Sequence, residues 1–239
     1  EIIAKIKIKD AIVILGGSAA KDTFLPGNKE LDIFVAFDYK KYNKKSDKIA
    51  GILHKYLKRK FTRISILHGS RDYFQISQKN YTIEVIPILD IKSHLEAKNI
   101  TDISPLHIEW VNKNIGNLAD DIRKAKLFCY ANHIYGAESH IKGFSGYALE
   151  ILVIHYRGFD NFIKAALKWK LKNVIDHYNI HKDAFSSLNY SKILSPLILI
   201  DPVQPERNVT AGLSEQSFFK FINACKNYLN HPSDDHFKY

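Results

Sequence analysis

Methionine is absent from this 239-residue chain, and tryptophan occurs only twice. An ordinary domain of this size carries several methionines, and with Glu1 in place of an initiator Met the natural protein is expected to begin upstream. Cysteine is scarce as well: Cys129 and Cys225 are the only two. Two distant thiols cannot frame a secreted disulfide module. They fit a reducing compartment, and the cytoplasm is the expected location. Both read as small buried hydrophobes. No run of about 18 uncharged apolar residues occurs, which excludes a membrane-spanning helix. Residues 1–10 alternate Ile and Lys and lack an apolar core, so no signal peptide is expected. Internal repeats and low-complexity blocks are also missing. Acid is in short supply, with 25 Asp and Glu against 35 Lys and Arg, a net charge of +10. Such a surplus calls for a polyanionic partner, nucleic acid first and an anionic membrane surface second. What is present is ordinary for a folded protein: 46% hydrophobic and 25% charged residues.

The pattern along the chain predicts a mixed α+β protein. Strand-like runs occur at 11–15, 31–37, 61–67, 72–77 and 81–89, with helical spacing at 46–60. The middle reads as helices over 105–114, 117–132, 147–156 and 161–170. After residue 170, short strands and turns are expected, then an amphipathic helix over 215–229 and a polar end. Boundaries are placed near residues 105 and 170.

Chemistry concentrates between Gly16 and Val35. Glu30-Leu31-Asp32 falls in a strand-like run, and residues two apart on a strand share a face. Side-by-side carboxylates repel unless a cation lies between them. Magnesium does this, taking oxygen ligands and keeping water and phosphate as others. Upstream, Gly16-Gly17-Ser18 follows a strand and is expected to open a helix. Glycines there let backbone N–H groups approach a phosphate. Ser18 can add a hydroxyl and Lys21 a cation. Glu84, in Tyr81-Thr82-Ile83-Glu84-Val85-Ile86-Pro87, is an acid between apolar neighbours, costly unless paired or metal-bound. Three acids on neighbouring strands suit two-metal phosphoryl transfer. Each piece alone has an ordinary explanation: a turn, a solvated strand face, a salt-bridged core acid. Their conjunction is the signal.

That conjunction is similar to the nucleotidyltransferase superfamily shared with polymerase β. The residues around it, Gly16-Gly17-Ser18-Ala19-Ala20-Lys21 and Glu30-Leu31-Asp32-Ile33-Phe34-Val35, resemble the archaeal class I CCA-adding enzymes (tRNA nucleotidyltransferases). So do Glu84-Val85-Ile86-Pro87 and Thr101 to His107. The same holds for Ile134 to Glu138, Gly143 to Tyr147, and Asp201-Pro202 through Pro205-Glu206-Arg207-Asn208-Val209. The resemblance covers nearly the whole chain. It implies a catalytic head (1–104), a helical neck (105–169) and a small body (170–239). It implies that Glu30, Asp32 and Glu84 hold magnesium, two ions in the active complex. Ser18, Lys21, His107, Lys126 and Tyr135 would contact the nucleotide, and Arg207 would face its base. CTP and ATP would be the substrates, and tRNA lacking its 3′ CCA the acceptor; a homodimer is left open. By themselves, His107 reads as an interface histidine, Lys126 as solvated surface, Tyr135 as packing and Arg207 as an anion partner. A poly(A)-type transferase and a catalytically weak tRNA-binding homologue are the alternatives.

The sequence departs from that family in three places. Asp22 stands where the family usually has Gly, and Glu84 replaces a commoner Asp. The family's C-terminal tail domain would lie beyond Tyr239, and reduced tRNA affinity is expected without it. Two other features stand apart. His177 and His181 have a spacing that binds zinc on a helix, but no third ligand is obvious. Lys164 to Lys172 around Trp169 suits either RNA contact or a lysine-flanked core tryptophan.

Overall fold

The computed structural model describes residue 3 and residues 6–238. The chain forms two compact units, Glu1–Trp110 and Val111–Tyr239.

The first unit is built on a five-stranded mixed sheet in the order β1-β2-β5-β4-β3. The strands are β1 (Ala11–Leu15), β2 (Glu30–Asp38), β3 (Ser65–Leu67), β4 (Tyr73–Gln78) and β5 (Tyr81–Asp90). β2 and β5 are parallel, in register from Glu30↔Thr82 through Asp32↔Glu84 to Asp38↔Asp90. All other pairs are antiparallel. β2 and β5 are central, so both faces must be covered, which is why β2 reads as a nearly continuous apolar run after Asp32. On one face lie Val35, Phe37, Val85 and Leu89, all fully buried. Helix α1 (Ile49–Lys58) packs there through Ile49, Leu53 and Leu57, spaced to form one helical stripe. His54 on α1 stacks on Phe74 of β4 with ring centroids 5.1 Å apart. The other face carries a smaller cluster, Phe34, Ala36 and Ile88, flanked by Ile14, Ile86 and Ile108. Ile108 belongs to helix α2 (Ser104–Asn114).

The entry to α2 is pinned by Asp102, which is fully buried. It accepts from the backbone N–H groups of Leu89 (2.9 Å), Lys98 (3.0 Å) and Asn99 (2.9 Å) and from Arg71. A buried carboxylate with this many donors is satisfied, and it fixes where the following helix starts.

The second unit is mainly helical: α3 (Ala119–Ala131), α4 (Gly146–Tyr156), α5 (Phe159–Ala166) and α6 (Glu215–Asn230). Residues 148–154 of α4 are all buried, so it is the central helix. Phe128, Phe144, Phe159, Phe162, Phe218 and Phe221, each fully buried, form an aromatic core. Trp169 joins that core; its indole N–H donates to Tyr156 Oη at 3.1 Å. A two-stranded parallel ladder, β6 (Asn173–Ile175) and β7 (Leu197–Leu199), completes the unit.

Several elements differ from the sequence expectation. The 61–67 run yields a strand only over Ser65–Leu67, because Phe61 N–H still bonds the Leu57 carbonyl and closes the end of α1. The final residues are less polar in effect than in composition: Phe237 packs on Phe128, 5.9 Å between centroids, and on Phe159, 5.8 Å. In line with the strands and turns expected after residue 170, His177 lies in a turn and His181 in neither helix nor strand. His181 Nε2 is 2.9 Å from the Pro205 carbonyl oxygen, so the two rings do not form the helical zinc pair.

Candidate active site

The parallel register places Asp32 directly opposite Glu84. Glu30 precedes Asp32 by two residues and therefore shares its sheet face. This is the face of Phe34 and Ile88, on the opposite side of the sheet from α1. Gln75 of β4 pairs across from Glu84, and Tyr73, two residues earlier, points the same way.

Burial and neighbouring charge act on these groups together. Burial holds the Asp32 carboxyl above the usual carboxylate range, Glu30 pushes it further, and Lys21 opposes the shift. Glu84 is also raised, first by burial, then by Asp32 and Glu30, with a hydrogen bond from Gln75 acting against it. The Tyr73 hydroxyl is raised by burial, then by Glu84 and Asp32. The strand register sets Asp32 beside Glu84, and carboxylates held side by side favour a shared cation.

Above them runs the Gly16-Gly17-Ser18 turn, tied to β2 by the Gly16 N–H, which donates to the Asp32 carbonyl at 2.7 Å. Gly17 has φ +56°, and a Cβ there would lie 1.7 Å from Asp32 Oδ2. Only glycine leaves room for the carboxylate. The expected helix after this turn is a single 3₁₀ turn, Ala19–Lys21, closed by Asp22 at φ 51°. A left-handed residue stops helix growth, and Asp is among the few non-glycine types that tolerate it. The departure from Gly at this position is therefore a conformational match. Ser18 stands at the N-cap position of this turn without a side-chain capping bond, and Lys21 lies in it.

An all-oxygen donor set of mutually repelling carboxylates, beside a glycine cradle, fits a hard divalent cation. Among the described residues, no group of three or more His, Cys, Asp or Glu forms a ready-made metal cage. Magnesium does not need one, since it usually takes one or two carboxylates and completes its shell with phosphate and water. Polymerase β-like nucleotidyltransferases are in general divalent-metal dependent.

His107 lies on α2, next to Ile108 of the apolar cluster on the carboxylate face.

The remaining predicted residues lie in the second unit, in two groups. Lys126 of α3 is buried, and its Nζ is 2.9 Å from Glu150 Oε1 on α4, with the two side chains 2% and 1% exposed. Tyr135 is close by. A Cβ built on Gly146 would be 3.1 Å from Tyr135 Oη and 3.6 Å from Lys126 Nζ. Burial, then the Glu150 charge, pushes the Tyr135 hydroxyl well up. Tyr135 is held by a bridge to Phe144. There Gly143 approaches so closely that a Cβ would meet the Ile134 carbonyl oxygen at 2.1 Å. In the second group, Arg207 Nη1 donates to Asp201 Oδ2 at 3.0 Å. Asp201 is fully buried. It also accepts from Tyr147 Oη at 3.0 Å and from the N–H groups of Val203 (2.9 Å) and Gln204 (3.3 Å).

Sequence reasoning did not single out Tyr73, Gln75, Glu150, Tyr147 or Asp102. The first two could have been found from β-alternation once the β4–β5 hairpin was paired. Glu150 carried a signal too: it is an acid inside the apolar run Ala148 to Ile154.

Comparison with known proteins agrees with this geometry. The family model for the nucleotidyltransferase domain matches residues 1–107, and that for the second domain of tRNA nucleotidyltransferase matches residues 120–238. The chain is 48% identical over 221 residues to a CCA-adding enzyme of Nanoarchaeum equitans, covering 91% of this chain and 55% of that protein. A CCA-adding enzyme of Methanosarcina acetivorans is 30% identical over 228 residues, covering 95% of this chain and 48% of that protein. The chain thus spans about half the length of the curated relatives it matches. Among solved structures, the Cid1 poly(U) polymerase superposes with a TM-score of 0.71 at 14% identity, covering 99% of this chain and 88% of that one. A cytoplasmic RNA terminal U-transferase gives 0.68 at 14% identity, over 99% and 88%. At that identity the likeness is one of fold, the polymerase β-like nucleotidyltransferase fold. With its paired carboxylates under a Gly-Gly-Ser turn and both domain models matched in order, the chain belongs to the archaeal class I CCA-adding enzyme family.

Proposed function

We propose that this chain carries out CCA addition: nucleotidyl transfer from CTP and ATP to the 3′ end of tRNA, without a nucleic-acid template. The 3′-hydroxyl oxygen bonds to the α-phosphorus, the bond to the bridging oxygen breaks, pyrophosphate leaves, and the hydroxyl proton passes to solvent. The observation that carries the reading is Asp32 opposite Glu84 on parallel strands, directly beneath Gly17.

Glu30, Asp32 and Glu84 would hold two magnesium ions. Bound there, magnesium lowers the pKa of an attacking hydroxyl and offsets charge on the pyrophosphate leaving group. The chain's own residues bind and orient. The Gly17 turn exposes backbone N–H groups, the Ser18 hydroxyl can donate to a phosphate oxygen, and Lys21 supplies a cation. His107, Lys126 and Tyr135 are proposed as further nucleotide contacts. Glu150 fixes the Lys126 ammonium, which stops its long side chain from sampling other rotamers. Arg207, aimed by Asp201, is proposed to face the base. The amino groups of cytosine and adenine, each beside a ring nitrogen acceptor, share a pattern that uracil and guanine lack. In this layout residues 1–104 are the head, 105–169 the neck and 170–239 the body, acting in the cytoplasm. Among the described residues, no helix is long and apolar enough to cross a membrane.

The test uses tRNA transcripts ending before the CCA, after the first C and after the second C. Each is given magnesium and one labelled nucleotide at a time, with Asp32→Asn as control. C added to the first two and A only to the third is the expected result. ATP-only tailing regardless of the end would replace the reading with a poly(A)-type transferase. Tight tRNA binding without incorporation would replace it with a binding homologue.

A further inference from the structure

Residues 48–71 contain no Asp or Glu and seven basic residues: Lys48, Lys55, Lys58, Arg59, Lys60, Arg63 and Arg71. Arg71 is consumed by the buried Asp102. The other six are exposed, and none has a side-chain ion pair or hydrogen bond among the described residues. This stretch alone carries a formal +7, against +10 for the whole chain.

Their placement is ordered by α1. At 100° per residue, Lys48, Lys55 and Arg59 fall in one stripe, on the far side of the helix from the buried Ile49, Leu53 and Leu57. The stripe is about 17 Å long at 1.5 Å per residue. It ends in a groove of about 410 Å³ lined by Lys58, Arg59, Lys60, Phe61, Thr62 and Ile64. Favourable interaction with the helix dipole accounts for Lys58 and Arg59 at the C-terminal end, but Lys48 sits at the N-terminal end, where a cation is unfavourable. Helix stability therefore does not explain the stripe.

We propose that this stripe and groove form a docking surface for an RNA phosphate backbone. A nucleic-acid backbone presents several phosphates over such a length, and a row of unpaired cations matches it without reading sequence. Because α1 lies on the sheet face opposite Glu30, Asp32 and Glu84, the segment held here is not the reacting 3′ end. It is another stretch of the same RNA. This rests on the reading that the substrate is tRNA.

The experiment compares wild type, the triple variant Lys55→Gln/Arg59→Gln/Lys60→Gln, and a control with the same charge change, Lys40→Gln/Lys44→Gln/Lys220→Gln. Binding of a tRNA transcript lacking CCA is measured from low to moderate salt. Losing three phosphate contacts flattens the plot of log affinity against log salt by about two to three units. The expected result is that loss in the triple variant, an affinity drop of about tenfold or more, and less than one unit of change in the control. The KM for nucleotide and the rate at saturating RNA stay at wild-type values. Equal slopes in triple variant and control would overturn the proposal, as would competition by polyglutamate but not by RNA, which would mark an acidic protein partner. Wild type that binds tRNA through this surface yet adds no nucleotide would overturn the transferase reading and leave the docking surface standing.

Discussion

The Lys126–Glu150 pair offers the sharpest quantitative test. Both groups are fully enclosed, with 2% and 1% side-chain exposure and a 2.9 Å contact between α3 and α4. Desolvating two ions is expensive, and their mutual attraction roughly repays it. Removing one carboxylate therefore strips compensation from a buried ammonium, at a cost of about 3–5 kcal/mol. For a chain of this size that is a loss of about 6–20 °C in Tm. Glu150→Gln should show it. The pair Lys126→Met/Glu150→Leu, which removes both charges, should recover most of the loss and still be inactive if Lys126 binds the triphosphate. The two tryptophans help: Trp110 lies in the first unit and Trp169 in the second. Urea unfolding in a Trp110→Phe background follows Trp169 fluorescence and so reports the unit that holds the pair. A Glu150→Gln cost below about 1 kcal/mol would refute the reasoning, since the enclosed ion would then be losing nothing. So would a double variant no more stable than Glu150→Gln alone.

Three further outcomes are expected. Gly17→Ala combines a left-handed strain of about 1–2 kcal/mol with a methyl in the space of Asp32 Oδ2, so transfer should fall at least about 100-fold while tRNA binding is kept; near-normal kcat would show that Asp32 need not sit there. Adding magnesium to metal-free protein should raise Tm by offsetting the Glu30–Asp32–Glu84 repulsion, about 1.4 kcal/mol at ten times Kd, and Asp32→Asn should abolish the shift; an equal shift in that variant would place the metal elsewhere. His155 and His177, 5.7 Å apart, are both held below 6.5, mainly by burial, with Asp176 opposing. Their neutral forms are the folded ones, so protons bind the unfolded chain first and stability drops as pH falls from about 6.5 toward the lowered folded values; the urea midpoint should decline between pH 7 and 5.5, and a His155→Gln/His177→Gln variant with the same decline would exclude these rings as the cause.

The carboxylate centre was legible from sequence because its parts are local or strand-borne. Glu30-x-Asp32 needs only β-alternation, and Glu84 announces itself as an acid in an apolar strand. What alternation cannot supply is the neighbour order of strands, so Tyr73 and Gln75 join the centre only through the pairing of β4 with β5. The helix expected after Gly-Gly-Ser shrank to one 3₁₀ turn, because composition does not reveal that Asp22 adopts a left-handed conformation. Lys126 looked like solvated surface beside Arg123 and Lys124, yet it is enclosed by a partner 24 residues away on α4. Burial of that kind depends on which helix lies opposite, and no local pattern encodes it. Phe237 shows the same limit at the far end, where a polar stretch contributes one ring to the aromatic core.

The parallel pairing of β2 with β5 also governs how the protein is assembled. Joining Glu30 to Thr82 closes a long loop, with an entropy cost of about 3.5 kcal/mol before any constant term. Parallel, long-range pairings of this kind form slowly. At synthesis speeds of about 5–20 residues per second, the emerging chain spends several seconds with β1 and β2 made and β5 not yet available. Throughout that interval the apolar run Ile33 to Phe37 presents an open edge to other nascent chains. Catalytic competence and escape from aggregation thus arrive together, when β5 slots between β2 and β4. A ligand that spans Asp32 and Glu84 acts only after that moment, slowing the loss of the finished sheet and leaving the rate of its formation untouched.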